Sequence, residues 1–180
     1  MADTAHQPPQ IRLAEPHDIE ILPGIERSAA RLFRTWADDL GLPRNLLAEP
    51  NAVDTFRSAQ QAGRLWVACD SGGTPVGFAL VVELGGFAHL DELDVLPEYG
   101  RQGVGSALLA TVCAWARQHA FPAVTLRTFR RVPWNAPFYG RRGFREGDSA
   151  TLSIEHARLD VMEQQRGLRP EMRVTMAYDT

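Results

Sequence analysis

The sequence predicts an α/β protein with a mixed, largely antiparallel central sheet of about six to seven strands, flanked by helices. Segments with strand patterning and segments with helical spacing succeed one another along the whole chain. Short glycine turns at Ser71–Thr74 and Gly85–Gly86 join successive strands, as in antiparallel hairpins. A length of 180 residues with 44% apolar residues suits one core. We therefore expect a flexible tail over residues 1–9 and one domain over 10–180.

The N-terminal third is predicted to hold one strand and two helical stretches. A short alternating segment predicts a strand at Gln10–Ala14. Apolar residues at helical spacing predict a helix over 16–36, which Pro23 interrupts or restarts. A loop is expected over 41–50 and a second short helix over 52–62.

The middle of the chain is predicted to form three consecutive strands and a long helix. The strands are expected over 64–70, 75–84 and 87–96, and Pro97 ends the third. The predicted apolar face of the helix consists of Val104, Leu108, Val112 and Trp115. Beyond it we expect a strand over 122–129, a short helix within 133–144, a helix over 154–165 and a closing strand over 172–179.

Composition excludes several classes of function. A net charge of −3 argues against a nucleic-acid partner, and no apolar run is long enough to span a membrane. The N-terminus lacks the blocks of a signal peptide, so a cytoplasmic location is expected. The 19 basic residues are all arginine, which rules out catalysis by a lysine base or Schiff base. Cys69 and Cys113 are expected to be buried free thiols, and no residue spacing indicates a metal site.

The segment YGRQGVGSALL carries the strongest local signal. Gly100, Gly103 and Gly105 directly precede the long helix, so the backbone can turn tightly at a helix N-terminus, where free N–H groups bind anions. The backbone of Gln102–Ser106 is expected to hold a diphosphate. Leu108 stands where a dinucleotide-binding fingerprint needs its third glycine, and a P-loop would need the lysine that this chain lacks.

Two motifs resemble those of the GCN5-related N-acetyltransferases, the GNAT superfamily. The first, LDVLPEYGRQGVGSALL, resembles the family's acetyl-CoA-binding motif: Gly103 and Gly105 match its two small positions. Gly100 departs from it, because Arg or Gln normally stands there, and Arg101 is one place late. The second motif, VPWNAPFYGRRGF, contributes Asn135. The order of elements also fits the family over residues 10–178.

The resemblance implies a GNAT fold whose sheet splays at the strand before the glycine loop, with acetyl-CoA as co-substrate. The backbone of that strand would pair with the pantetheine arm and supply an oxyanion donor. The cofactor-binding residues implied in this way are Leu93, Asp94, Val95, Arg101, Gln102, Gly103, Val104, Gly105, Ser106 and Asn135. For Asn135, a contact with the cofactor and a cap on the short helix are equally compatible with the motif.

Catalytic roles follow from the same resemblance. Tyr139 stands where the family places the acid that protonates the leaving thiolate. Among possible bases Asp91 matches the family pattern best, with His89 and Glu92 as rivals. Strict alternation would put His89 and Asp91 on one face and Glu92 and Asp94 on the other, unless a bulge intervenes.

The predicted reaction is direct acetyl transfer to a primary amine in a ternary complex. The acceptor stays open between a small molecule and a peptide or protein amine, and a homodimer is possible. The alternative is a non-catalytic acyl-CoA-binding sensor of the same fold. We further expect a solvated arginine surface around Arg127–Arg145, Trp134 in the core and His156 at the surface, with specificity set by residues 41–50 and the late helix.

Overall fold

The fold was analysed in a computed structural model that describes residues 9–43 and 50–180. The predicted tail over 1–9 lies almost wholly outside the described residues, as does most of the predicted loop over 41–50.

One sheet runs through the described residues and contains all of their strands. The strands are β1 Gln10–Leu13, β2 Leu65–Cys69, β3 Pro75–Leu84, β4 Phe87–Val95, β5 Ala123–Phe129, β6 Arg145–Gly147 and β7 Arg173–Asp179. The helices are α1 Leu22–Ala30, α2 Ala37–Leu40, α3 Val53–Gln61, α4 Val104–Gln118, α5 Ala136–Gly140, α6 Ser149–Leu152 and α7 Ile154–Gln165. Single 3-10 turns lie at Arg31–Trp36, Pro97–Tyr99 and Pro170–Met172.

The order of the strands in the sheet is β1-β2-β3-β4-β5-β7-β6. All neighbours are antiparallel except β4 and β5, which run parallel. The predicted fold class, a mixed and largely antiparallel sheet flanked by helices, is therefore confirmed.

The sheet opens between β4 and β5. Their pairing is confined to Ala88–Leu90 on β4 and Val124–Leu126 on β5, although both strands continue beyond it. The ends of the two strands separate and leave a gap, which is the splay that the resemblance implied.

Two apolar cores cover the two faces of the sheet. Side chains alternate along β2, so that Trp66 and Ala68 pack with α4 on one face, while Leu65 and Val67 pack with α1 and α3 on the other. The face of α4 buries Val104, Leu108 and Val112 as predicted, together with Leu109 and Ala116.

The predicted elements needed correction around α1 and after α5. The helix expected over 16–36 begins only at Leu22, with Pro23 in its first turn, and changes to a 3-10 turn at Arg31–Trp36. β6 and α6 are new as elements, because three or four residues are too few to show a period.

Candidate active site

A cavity of about 1280 Å³ lies where β4 and β5 separate, bounded by the glycine loop before α4 and by α5. Most predicted site residues line it: Asp91, Glu92, Leu93, Asp94, Val95, Arg101, Gly103, Gly105, Ser106, Asn135 and Tyr139. Gln102 and Val104 do not. The Gln102 side chain donates to the Glu98 carbonyl at 2.8 Å, and Val104 is buried in the core.

The glycine loop offers unoccupied backbone donors at the start of α4. The first hydrogen bond of the helix runs from the Ala107 N–H to the Gly103 carbonyl at 2.9 Å, so the N–H groups before it have no partner inside the helix. Gly103 has φ +87° and nothing within 4 Å of the position of a Cβ atom. The residues present therefore fit a diphosphate held by backbone N–H groups.

Arg142 ties the glycine loop to the helix that carries Tyr139. Its Nε donates to the Ser106 hydroxyl at 3.1 Å, and a second guanidinium nitrogen donates to the same oxygen. A third donates to the Phe138 carbonyl at 2.9 Å, and the guanidinium lies 3.7 Å from the centroid of the Phe138 ring. The arginine is thus held by the protein on the wall of the cavity.

Asn135 occupies the N-cap position of α5, but its side chain makes no capping hydrogen bond. Its Oδ1 accepts instead from the Thr128 hydroxyl at 2.8 Å and from the Phe129 N–H at 3.3 Å. Those donors lie at the end of β5, where β4 no longer pairs. The capping alternative is therefore wrong for the side chain, which links α5 to the open strand edge.

Tyr139 lies at the wall of the cavity with 9% of its surface exposed. Its ring packs edge-on against Phe138 and Phe144, and its hydroxyl has no hydrogen-bond partner among the residues that the structure describes. Burial, and then the charges of Glu92 and Asp94, raise the pKa of the Tyr139 phenol. The hydroxyl is therefore protonated at neutral pH and available as a donor.

A bulge in β4 changes the faces that alternation predicted. Leu80 of β3 pairs with Glu92 and Val81 pairs with Leu90, so Asp91 is the extra residue. Asp91 consequently lies at the cavity surface together with Glu92, while His89 is buried and is not among the residues lining the cavity. The prediction that His89 and Asp91 share a face is wrong for this reason.

The acidic residues of the cavity include one that the motifs did not indicate, Glu26 of α1. Burial raises the pKa values of the Asp91 and Glu26 carboxyls. Burial, and then the neighbouring carboxylates, raise the pKa values of Glu92 and Asp94 well above the ordinary range. Negative charge is therefore concentrated on the β4 side of the cavity.

His89 belongs to a buried chain of polar side chains. Its Nδ1 lies 2.9 Å from the Thr125 hydroxyl, which lies 2.9 Å from Nε2 of His156. Nδ1 of His156 lies 2.8 Å from the Ser153 hydroxyl. Burial lowers the pKa of His89 to about 3, so it is neutral at physiological pH. The expectation of a surface position for His156 is wrong, because the imidazole finds partners on β5 and at the start of α7.

Two further expectations are corrected. The expected arginine surface is present at Arg130, Arg131, Arg141 and Arg145, which are exposed, but Arg127 is largely buried and pairs with Asp160 and Glu163. Trp134 is not a core residue: it lines the cavity and meets the ring of Phe33 edge-on at 5.7 Å.

No helix in the described part of the chain has the length and apolar character needed to cross a membrane.

Solved structures with the same architecture include several proteins described as acetyltransferases. The N-acetyltransferase PaiA of Thermoplasma acidophilum, solved with coenzyme A, is 16% identical with a TM-score of 0.67, over 97% of this chain and 100% of that one. The N-acetylglutamate synthase of Neisseria gonorrhoeae, complexed with coenzyme A and N-acetylglutamate, is 16% identical with a TM-score of 0.68, over 95% of this chain and 35% of that one. A GNAT acetyltransferase of Staphylococcus aureus Mu50 is 15% identical with a TM-score of 0.66, over 95% and 98%.

These likenesses establish the fold, and a comparison of sequences establishes the family. The family model described as the acetyltransferase (GNAT) family matches residues 30–144, which contain α2 to α5 and β2 to β5, and therefore both strands of the gap and the glycine loop. With that match and the two motifs lying on the walls of one cavity, the chain belongs to the GNAT family of acetyltransferases.

Proposed function

We propose that this protein transfers the acetyl group of acetyl-CoA directly to a primary amine in a ternary complex. The observation that carries the proposal is the gap between β4 and β5, which opens beside the backbone N–H groups at the start of α4 and beside a protonated Tyr139 hydroxyl that has no hydrogen-bond partner among the described residues. Solved relatives of the same fold hold coenzyme A.

Two parts of the protein bind acetyl-CoA: the glycine loop with the start of α4, and the end of β4. The N–H groups at the start of α4 and in the glycine loop hold the diphosphate, with Arg101 at the rim of the cavity. The backbone of Leu93–Val95, which faces the gap because β5 has diverged, pairs with the amides of the pantetheine arm. A backbone N–H of the same segment donates to the thioester oxygen as negative charge develops there.

The proton transfers fall to two side chains on opposite walls of the gap. Glu92 accepts a proton from the attacking amine, directly or through water, because it lines the cavity and its raised pKa makes the carboxylate a stronger base. Tyr139 donates a proton to the departing thiolate. Asp91, placed at the cavity surface by the bulge, attracts the protonated amine toward the site.

The test measures binding and turnover separately. Calorimetric titration with acetyl-CoA, with NAD and ATP as controls, is expected to show micromolar binding of acetyl-CoA alone. Thiol release with an amine panel then measures transfer. Tyr139→Phe removes only the hydroxyl, so kcat is expected to fall about 10²–10⁴-fold while the Kd of acetyl-CoA stays within threefold.

The variant also decides between the enzyme and a sensor. A chain that binds acetyl-CoA but releases no thiol with any amine, and that is unaffected by Tyr139→Phe, would be the non-catalytic acyl-CoA-binding module. Failure to bind acetyl-CoA would contradict both functions.

A further inference from the structure

The acidic wall of the cavity has no cationic partner. Its carboxylates belong to Glu26, Asp91, Glu92 and Asp94. Within residues 9–43 and 50–180 no ion pair engages any of them. Only Glu26 makes a hydrogen bond, accepting from the Asn51 N–H at 3.0 Å and from its side-chain amide at 3.2 Å. Asp91 is exposed and the other three side chains are half-buried, and like charges gathered on one wall repel one another unless a cation joins them.

The arginines of the same cavity do not neutralise this wall. Arg173 and Arg127 are held by Glu163, at 2.6 Å and 2.7 Å. Arg173 acts on Glu92, and Arg166 on Asp91, only through longer-range charge. The other arginines of the lining, Arg101, Arg141 and Arg142, belong to the glycine loop and to the end of α5, where a diphosphate would sit. Arginines are therefore concentrated at the end formed by the glycine loop and α5, which also includes Glu98, while the other four acidic residues lie on β4 and α1 at the anionic end.

A second feature also indicates a ligand at the anionic end. The Tyr139 side chain is nine-tenths buried and lines the cavity, and its hydroxyl makes no hydrogen bond to the residues that the structure describes. Glu92 and Asp94 are close enough to act on it electrostatically. The two carboxylates and the phenol oxygen line the same cavity, and each can accept a hydrogen bond from a bound molecule that carries N–H donors.

The spacing of the carboxylates favours an organic cation over a metal ion. No group of three or more His, Cys, Asp or Glu side chains in the described residues converges as metal ligands do. Phe33, Phe129 and Trp134 line the same cavity, with the Phe33 and Phe129 rings 5.4 Å apart. Aromatic faces suit both hydrocarbon and ammonium groups. The cavity must also accommodate the pantetheine arm, so the remaining space suits a small molecule.

We propose that the acceptor is a small aliphatic amine carrying a second cationic centre, and that Glu26 is the specificity residue that binds this second cation beside Asp91. The inference rests on the proposed acetyl transfer. Glu92 receives the reacting amine next to Tyr139, while the second ammonium lies toward α1 between Glu26 and Asp91. Asn51 holds the Glu26 carboxylate in place through the hydrogen bonds described above.

The first experiment compares three acceptors of equal length that differ in one terminal group: 1,5-diaminopentane, pentylamine and 5-aminopentanoate. The kcat/KM for the diamine is expected to exceed that for pentylamine by at least about tenfold, as one charge-assisted contact allows. The carboxylate compound is expected to be the poorest acceptor, because it brings a negative charge to the acidic wall. The advantage of the diamine should shrink as ionic strength rises.

The second experiment separates specificity from structure. Glu26→Gln keeps an acceptor oxygen for Asn51 but removes the charge, so the ratio of kcat/KM for diamine over monoamine is expected to fall about tenfold. A merely structural role would lower both rates equally and leave the ratio unchanged. Glu20→Gln is the matched control, because that side chain is 73% exposed and lies outside the cavity lining.

Each alternative result contradicts either the specificity inference or the proposed function as a whole. If acetyl-CoA binds but pentylamine or 5-aminopentanoate equals the diamine, or if none of the three is acetylated, the specificity inference fails and the transferase survives. Acetylation of a basic tetrapeptide without turnover of the diamine would instead assign the acidic wall to a peptide. Absence of acetyl-CoA binding removes the proposed function and this inference together.

Discussion

The Ser106 hydroxyl at the start of α4 accepts hydrogen bonds from the guanidinium of Arg142 at the end of α5. The two motifs that identify the family, separate in the chain, are joined by this contact. It fixes the glycine loop relative to Tyr139. The diphosphate and the thioester of a bound acetyl-CoA would therefore contact parts of the protein that are joined to each other.

Loss of this contact is expected to weaken binding of the co-substrate. Arg142→Ala removes the hydrogen bonds to Ser106 and to the Phe138 carbonyl, and the Kd for acetyl-CoA should rise about tenfold. Calorimetric titration measures the change. Arg145→Ala is the control, since that side chain is 85% exposed. Equal effects of both changes would indicate a general loss of positive charge rather than a specific contact.

The two small positions of the glycine loop are expected to respond differently to alanine. Gly103 has φ +87°, so Gly103→Ala should cost about 1–2 kcal/mol of unfolding free energy. At Gly105 the nearest atom to a Cβ would be Leu93 Cδ2 at 3.5 Å, an ordinary contact, and Gly105→Ala should change stability by less than about 0.5 kcal/mol. Urea denaturation measures both, and a larger loss at Gly105 would contradict the loop geometry.

The acidic wall should lower stability at neutral pH. The pKa values of Glu92 and Asp94 are raised on folding, so the folded state binds more protons than the unfolded chain, and stability falls as pH rises from the unfolded pKa through the folded one. Glu92→Gln or Asp94→Asn should therefore raise Tm by about 2–4 °C at pH 7.5 and by much less at pH 4.

Thermal unfolding at the two pH values checks this expectation, with the exposed Glu20→Gln as the control change. A lower Tm for both cavity variants at pH 7.5 would mean that the carboxylates stabilise the fold after all. Addition of a diamine should raise the Tm at pH 7.5 in the unsubstituted protein and not in the two variants.

The buried chain between His89 and His156 depends on one hydroxyl. Thr125→Val keeps the shape but leaves both imidazoles without that partner, and unfolding free energy should fall by about 2–4 kcal/mol. Thr111→Val, which removes a hydroxyl bonded only to the Ala107 carbonyl on α4, should cost less than about 0.5 kcal/mol. Similar losses of unfolding free energy for the two valine variants would contradict a role for the hydrogen bonds between His89, Thr125 and His156.

Sequence reasoning located the elements that have a clear period or a glycine signal. The three central strands, α4 and the glycine loop lie within a residue or two of their predicted positions, because alternation, helical spacing and turn residues are local properties. β6 and α6 escaped prediction, since their three and four residues are set by pairing with β7 and by the Asp148 cap.

Within the site, the predictions were wrong or incomplete where residues distant in the sequence determine the position of a side chain. Asp91 bulges because β3 pairs with residues on either side of it, and that register is not visible in β4 alone. Glu26 belongs to a helix that no motif marks, and reaches the cavity only because α1 packs on the sheet next to β4. His156 is buried because Thr125 and Ser153 supply partners from elsewhere in the chain. Tyr139 and Asn135 were accessible to prediction because one short motif contains both.

The junction of β4 and β5 has a mechanical consequence. Three residue pairs join the half-sheet β1–β4 to the half-sheet β5–β7, and they do so at one end only. A molecule whose amides form hydrogen bonds to β4 at the open end would connect the two half-sheets there. The motion of one half-sheet relative to the other would then be smaller in the complex than in the free protein. Amide hydrogens of residues 91–95 and 127–129 should then exchange slowly in the complex and quickly in the free protein. The ligand would thereby complete the sheet as well as undergo reaction in it.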